Sequence, residues 1–134
     1  MKNFNKSIKH LLPLLLLAVS LSGCATTIAR ADLQKKLLES PAPLIVDVRS
    51  EGEYSADHIP GAVHIPFYSI GSGLKLLSIP KEKPVVLYCE HGPRAGLAGI
   101  SLYFQGFEKV YSLDGHMKGW RESGLPVERT PSAR

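Results

Sequence analysis

The chain of 134 residues is poor in cysteine, and it has no apolar run long enough for a membrane span. Its two cysteines, Cys24 and Cys89, exclude a framework of several disulfides. The apolar stretch of residues 11–21 is shorter than the roughly 20 residues that a transmembrane helix needs. The five histidines show no metal-ligand spacing, so we expect neither a metal site nor another cofactor.

From Cys24 to the last residue, the chain also lacks an excess of positive or negative charge. The whole chain has 16 basic and 12 acidic residues. Three of the basic residues and none of the acidic ones precede Cys24, so the remaining 111 residues carry 13 basic and 12 acidic side chains. With this near balance, the net charge does not indicate a protein that binds nucleic acid, and 111 residues provide one domain with a modest core.

The N-terminal segment resembles an export signal. Basic residues precede the apolar stretch, as in secretory signals, and Leu21-Ser22-Gly23-Cys24 resembles the bacterial lipobox. This resemblance implies that residues 1–23 are a signal peptide and that Cys24 is acylated, for example with palmitate. We therefore expect a lipid-anchored tether over residues 24–31 and a place in the cell envelope, facing the periplasm, or the exterior of a Gram-positive cell. An ordinary signal peptide with a chance cysteine is the alternative.

The alternation of strand and helix patterns predicts the fold class. The patterns place helices at 32–39, 51–57, 94–105 and 116–120, and strands at 44–48, 62–65, 85–88 and 109–113. Residues 66–83 are predicted to be loop with one helical turn at 74–77, and residues 129–134 a flexible tail. Strands that alternate with helices in this way predict an α/β domain with a parallel sheet.

Cys89 is the strongest candidate for a reactive residue. The apolar strand 85–88 ends there, and the segment Cys89-Glu90-His91-Gly92-Pro93-Arg94 leads into a helix. Backbone N–H groups of such a turn and the positive end of the helix converge on one point, where a thiolate is stabilised. An inert buried cysteine is the alternative, but the glycine, proline and arginine of this segment do not suit a dry core.

Three stretches of the sequence resemble the rhodanese-like family. They are residues 47–66, with Asp47-Val48-Arg49 and His58-Ile59-Pro60-Gly61, residues 89–107, with the Cys89 loop, and residues 113–120. The resemblance implies a three-layer α/β domain over residues 32–128, with a central parallel sheet flanked by helices. It also implies a sulfurtransferase, which takes sulfur from a small donor (thiosulfate, polysulfide or persulfide) as a Cys89 persulfide and passes it to a thiol or to cyanide. We expect a monomer.

Two positions depart from the pattern of the family. Asp57 stands where glycine is usual, and Gly115-His116 stands where two glycines are usual. Because both positions lie in predicted turns, we expect changes of local shape rather than a change of fold.

The chemistry of sulfur transfer suggests roles for the loop backbone. The N–H groups from Glu90 to Ala95 are expected to surround the sulfur, with Gly92 allowing the close wrap and Pro93 stiffening it. Four residues separate Cys89 from the arginine of this loop. Cysteine phosphatases have a similar layout with five residues there, so the shorter loop suits sulfur rather than phosphate.

Two charged residues of the loop are expected to act on an anionic donor in opposite directions. Arg94 should attract an anionic donor and lower the pKa of the thiol, unless it pairs with a carboxylate such as Glu90. Glu90 should repel anions and disfavour the thiolate, which makes thiosulfate a poor donor. The resemblance implies that Asp47 and Arg49 brace the loops, and His91 is expected to face solvent rather than to transfer protons.

Two other functions stay open at this point. The domain could be a non-catalytic binding module, although such modules often lack the cysteine that this chain keeps. Cys89 could also serve as a thiol redox sensor or carrier. Sulfur transfer differs from both because it requires that Cys89 turn over as a persulfide.

Overall fold

The computed structural model describes residues 26–131, which form alternating strands and helices. The strands are β1 (Thr26–Ile28), β2 (Leu44–Asp47), β3 (Val63–His64), β4 (Val85–Tyr88) and β5 (Val110–Leu113). The helices are α1 (Arg30–Leu37), α2 (Glu51–Ala56), α3 (Ile70–Leu76), α4 (Pro93–Phe104) and α5 (His116–Glu122), with a 3₁₀ turn at Phe67–Ser69. The expected signal peptide, Cys24 and the end of the tail lie outside the described residues. Within them, no helix combines the length and apolar character that crossing a membrane requires.

The five strands form one parallel sheet in the order β1-β5-β4-β2-β3. The central strand β4 is fully buried along its length, because helices cover both faces of the sheet. A strand covered on both faces reads as a continuous apolar run, which is why the sequence predicted it. The expected α/β class with a central parallel sheet is confirmed.

Alternate residues of β4 enter two separate cores. Val85 and Leu87 join the core under α3 and α4, where Leu102 is also buried. Val86 and Tyr88 join the core under α1 and α5, which is filled by residues that include Trp120. The molecule therefore has the expected three layers, and the strand that carries Cys89 is held from both sides.

The expected tether over residues 24–31 is wrong for the part that the structure describes. Thr26–Ile28 is the edge strand β1, in register with Tyr111–Leu113 of β5, and α1 begins at Arg30. The folded domain thus already includes residues 26–31, ahead of the predicted start at residue 32. Three residues are too few to show a strand period, and only Ile28 among them is buried.

The C-terminal boundary also differs from the prediction. His58 and Glu128 exchange two backbone hydrogen bonds of 2.9 Å, and the Thr130 N–H donates to the carbonyl of Ser55 at 3.1 Å. Part of the segment expected to be a flexible tail is therefore held against the end of α2. These hydrogen bonds join residues about 70 positions apart in the sequence, so a local sequence pattern cannot predict them.

The expected loop over residues 66–83 contains a helix, α3, at Ile70–Leu76. Two glycines weaken the helical pattern of this segment in the sequence, because glycine destabilises a helix by about 1 kcal/mol relative to alanine. Packing requires Gly73, because a Cβ there would lie 2.5 Å from the buried Ile65. A Cβ on Gly71 would meet only the flexible and exposed end of Gln105. The helix is stabilised by burial of Ile70 and Leu74 rather than by its own propensity.

Candidate active site

Cys89 lies at the carboxyl edge of the sheet, directly after β4, and only 1% of it is exposed. The chain turns through residues 90–92 and enters α4 at Pro93. Gly92 has a φ of +130°, a conformation that other residues rarely adopt. This conformation aims its N–H at the sulfur, with 3.0 Å between the nitrogen and Cys89 Sγ. The loop thus holds the sulfur against its own backbone.

Further backbone donors surround the loop. The N–H groups of Glu90, His91, Arg94 and Ala95 make no hydrogen bond to any other group of residues 26–131. The 12-residue helix α4 begins at this point, and the positive end of its dipole favours a negative charge there. Free donors and a helix end in one place are suited to a thiolate or a persulfide anion.

His116 contacts the loop from the opposite side, and the sequence analysis gave it no role beyond local shape. The N–H of Cys89 donates to its Nδ1 at 3.3 Å, and a Cβ placed on Gly92 would lie 3.1 Å from its Nε2. His116 starts α5 in a left-handed conformation, with φ +51°. Its ring therefore spans the loop from Cys89 to Gly92.

The protonation state of His116 follows from these contacts. Because Nδ1 accepts a hydrogen bond, the neutral ring carries its proton on Nε2. Burial lowers the pKa of His116; Asp114 opposes that shift and His91 adds to it. The available sequence signal was the histidine that replaces a glycine of the family pattern, but its contact with Cys89 lies 27 residues away along the chain.

Arg49 is buried at the centre of an ion network, with 2% of its side chain exposed. Its guanidinium donates twice to Asp47, at 2.8 and 3.0 Å, and once each to Asp57 Oδ1 and Glu90 Oε2, at 3.4 and 3.2 Å. Burial works to lower the pKa of Arg49, but the hydrogen bond to Asp47 and the negative charge of Asp47 outweigh it, and the pKa is raised. The network fastens the Cys89 loop to β2.

Glu90 does not face the sulfur as an unpaired charge. One carboxylate oxygen accepts from Arg49, and the other accepts from Arg121 of α5. Arg121 also pairs with Asp57 at 3.2 Å. Sequence reasoning missed Arg121, because its partners are 31 and 64 residues away. Both carboxylate oxygens of Glu90 are therefore paired, although the two guanidinium groups also serve Asp47 and Asp57.

Arg94 is engaged by a carboxylate, but by a different one from that suggested by the sequence. Its guanidinium donates to both oxygens of Glu53, at 2.6 and 2.8 Å. These bonds are the main reason that the pKa of Glu53 is well below its usual range and that of Arg94 is raised. Glu53 also completes the capping box of α2 with Ser50. The expected role of Arg94 as a free anion attractor thus requires competition with Glu53.

The other three histidines within residues 26–131 comprise one exposed residue and two that bond to backbone carbonyls. His91 is exposed on the loop, as expected. His58 Nδ1 donates to the carbonyl of Tyr54 at 2.8 Å, and His64 Nε2 donates to the carbonyl of Arg49 at 2.8 Å. Residues 26–131 contain no cluster of His, Cys, Asp and Glu side chains that could hold a metal ion.

Comparisons with known proteins identify the family to which the chain is similar. Residues 30–123 match the family described as Rhodanese-like domain. A sulfurtransferase from Allochromatium vinosum is 34% identical over 71% of this chain and 87% of its own length. A thiosulfate sulfurtransferase from Actinobacillus pleuropneumoniae is 34% identical over 69% and 84%. Among solved structures, the polysulfide-sulfur transferase homodimer of Wolinella succinogenes is 30% identical, and the match covers 82% of each chain with a TM-score of 0.66. The Alr3790 protein of Anabaena is 28% identical, and the match covers 78% of this chain and 82% of that protein with a TM-score of 0.71.

The contact between His116 and Cys89 should make stability depend on pH. The pKa of histidine in an unfolded chain is about 6.5, and the pKa of His116 in the folded chain is lower. The unfolded chain therefore binds more protons below about pH 7, and the free energy of unfolding falls as the pH falls. His116→Asn keeps an acceptor for the Cys89 N–H, tolerates the left-handed conformation and cannot titrate. We expect the free energy of unfolding, measured by urea at about pH 7 and about pH 5.5, to fall less in this variant than in the native chain. An equal fall in both proteins would contradict the role of His116 in the pH dependence.

Proposed function

The chain belongs to the rhodanese-like family, and on this basis we propose that it is a sulfurtransferase that carries sulfur as a persulfide on Cys89. The observation that carries the proposal is the sulfur of Cys89 held at 3.0 Å from the Gly92 N–H, at the N-terminus of α4. A thiolate is the attacking form of cysteine, and this position stabilises it. Relatives named as sulfurtransferases support the same class of reaction.

The transfer takes place in two balanced steps. The Cys89 thiolate attacks the outer sulfur of a donor such as thiosulfate; a sulfur–sulfur bond forms to Cys89, the bond to the sulfonate breaks, and sulfite leaves with the electron pair. The product is a persulfide anion on Cys89. A thiolate or cyanide then attacks the outer sulfur, and the Cys89 thiolate leaves. The backbone N–H groups of residues 90–92, 94 and 95 stabilise the negative charge of both forms of Cys89, and Pro93 supplies no donor.

A persulfide or polysulfide is the preferred donor in this proposal. The sulfonate of thiosulfate carries its charge on oxygens, which bind best to a guanidinium with free donors. Arg94 has both Nη atoms bonded to Glu53. The network of Asp47, Asp57 and Glu90 with Arg49 and Arg121 contains one more carboxylate than guanidinium groups. Donors whose charge lies on sulfur depend less on such contacts.

Acylation at Cys24 and a place in the cell envelope belong to the same proposal. The support is the sequence Leu21-Ser22-Gly23-Cys24 after an apolar stretch with basic residues before it. We expect the protein expressed in its own host to incorporate a labelled fatty acid, and Cys24→Ser to abolish the incorporation. Equal labelling of the variant and the native chain would refute acylation at this residue.

Sulfur loading can be read directly from intact mass. The reduced chain should gain the mass of one sulfur atom on exposure to polysulfide, and cyanide should remove it. Cys89→Ser, which differs by one atom in a buried site, should gain nothing. A native chain that is folded and reduced but gains no sulfur from polysulfide or thiosulfate would contradict the proposal and favour a binding or redox role for Cys89.

The preference among donors can be tested at Glu53. Glu53→Gln keeps a side chain that completes the capping box but removes the charge that neutralises Arg94. We expect kcat/KM for thiosulfate to rise about tenfold, equivalent to about 1.4 kcal/mol, with a change of less than about twofold for polysulfide. Glu51→Gln, at an exposed position of the same helix, should change neither. Equal changes for both donors in Glu53→Gln would show that Arg94 does not select the donor.

A further inference from the structure

The edge of the sheet opposite Cys89 has an unusual surface. Because all five strands are parallel, they all run away from this edge, which we call the amino-terminal edge, and β2, β4 and β5 begin there level with one another. It is formed by Thr26 and by the segments that lead from helix ends into strands, residues 35–43, 75–84 and 103–109. Backbone and side-chain bonds tie these segments together: Leu44 N–H to Pro84 O and Val85 N–H to Lys109 O, both 2.9 Å, and Lys83 Nζ to Ala42 O, 3.1 Å.

Large apolar side chains project into solvent at this edge. Leu38, Leu76 and Phe104 are 90%, 86% and 82% exposed, the three highest values for large apolar residues within 26–131. Leu76 and Phe104 are the last residues of α3 and α4, and Leu38 directly follows α1. Single exposed apolar residues are common on protein surfaces, but here the ends of three separate helices each present one at the same edge.

Positive charge is concentrated at the same edge. Six of the seven lysines within residues 26–131 lie in its segments: Lys35, Lys36, Lys75, Lys81, Lys83 and Lys109. The same segments contain three acidic residues, Glu39, Glu82 and Glu108. The rest of the described chain has six basic and nine acidic residues. The amino-terminal edge thus has a surplus of three positive charges, and the remainder an equal surplus of negative charges.

We propose that the amino-terminal edge docks on an anionic phospholipid bilayer. Lysines pair with lipid phosphates while their alkyl stems lie along the interface, and Leu38, Leu76 and Phe104 enter the boundary between headgroups and acyl chains. A bilayer fits better than a protein partner because the apolar groups come from the ends of three different helices and share this edge with six lysines. Residues 1–25, which include the apolar stretch 11–21, join the domain at this edge, through Thr26.

This docking orients the molecule, and it does not depend on the reaction proposed for Cys89. Strands of four residues separate the two edges of the sheet by about 13 Å. The Cys89 loop therefore faces away from the bilayer, towards solvent, while the lysine-rich edge lies on the lipid.

The docking can be read from the reactivity of individual lysines in the full chain. The protein is placed in vesicles of phosphatidylcholine with phosphatidylglycerol, or of phosphatidylcholine alone, and treated with an amine-reactive reagent; each lysine is then quantified by mass spectrometry. We expect Lys36 and Lys109 to be several-fold less reactive on the anionic vesicles. Lys118, on α5 beside the active site, should react equally on both and is the internal control. High salt should reduce the protection.

A triple variant tests the apolar contribution. Leu38→Glu, Leu76→Glu and Phe104→Glu replace side chains that are already exposed, so the fold should be retained; the protection of Lys36 and Lys109 should be lost. Leu97→Glu with Ile100→Glu, on the exposed face of α4, is the matched control and should keep it. Sulfur loading of Cys89 on the same samples reports a folded chain independently of docking. Equal reactivity on both vesicles, or protection that rises with protein concentration in the absence of vesicles, would overturn the proposal, the latter in favour of a second copy.

Discussion

The buried guanidinium of Arg49 must be paired, and the arrangement of the whole active-site edge satisfies this requirement. A buried charge that loses its partner destabilises a protein by about 3–5 kcal/mol, so Asp47 on β2, Asp57 after α2 and Glu90 on the loop converge on one side chain. The backbone carbonyl of Arg49 in turn accepts from His64 of β3. Four segments that are distant in sequence are thereby held in fixed positions around Cys89.

The electrostatics of the site come from backbone more than from side chains. The negative charge of Glu90 is offset by Arg49 and Arg121, and the positive charge of Arg94 is matched by Glu53. What remains to stabilise a charged sulfur is the Gly92 N–H, the unpaired N–H groups of the same loop and the N-terminal end of α4. Such dipoles are fixed by the fold and need little reorganisation when charge develops on the sulfur. Because they act on charge rather than on the identity of the donor, the proposed preference among donors depends on the ion pairs of Arg94 and Glu90.

Local pattern was enough to predict the central features of the fold. The buried run of β4, the turn at Cys89 and helix α4 were visible because each has a short-range signature in the sequence. Helix α3 was predicted only as a single turn because its two glycines weaken the helical signal, and Gly73 is required by packing against Ile65. Strand β1 was missed because three residues show no period. The pairs Arg94–Glu53, Arg121–Glu90 and Cys89–His116 were beyond prediction for another reason: their members are 41, 31 and 27 residues apart, and only the assembled sheet brings them together.

The near-complete burial of Cys89 limits which molecules can react with its thiol. With 1% of the residue exposed, the sulfur offers almost no surface to a protein-sized disulfide, and mixed-disulfide formation requires that its attacker reach it. Under the proposed mechanism, the same burial requires a small acceptor, such as cyanide or a low-molecular-weight thiolate, because only a small molecule can reach a sulfur that is held inside the loop.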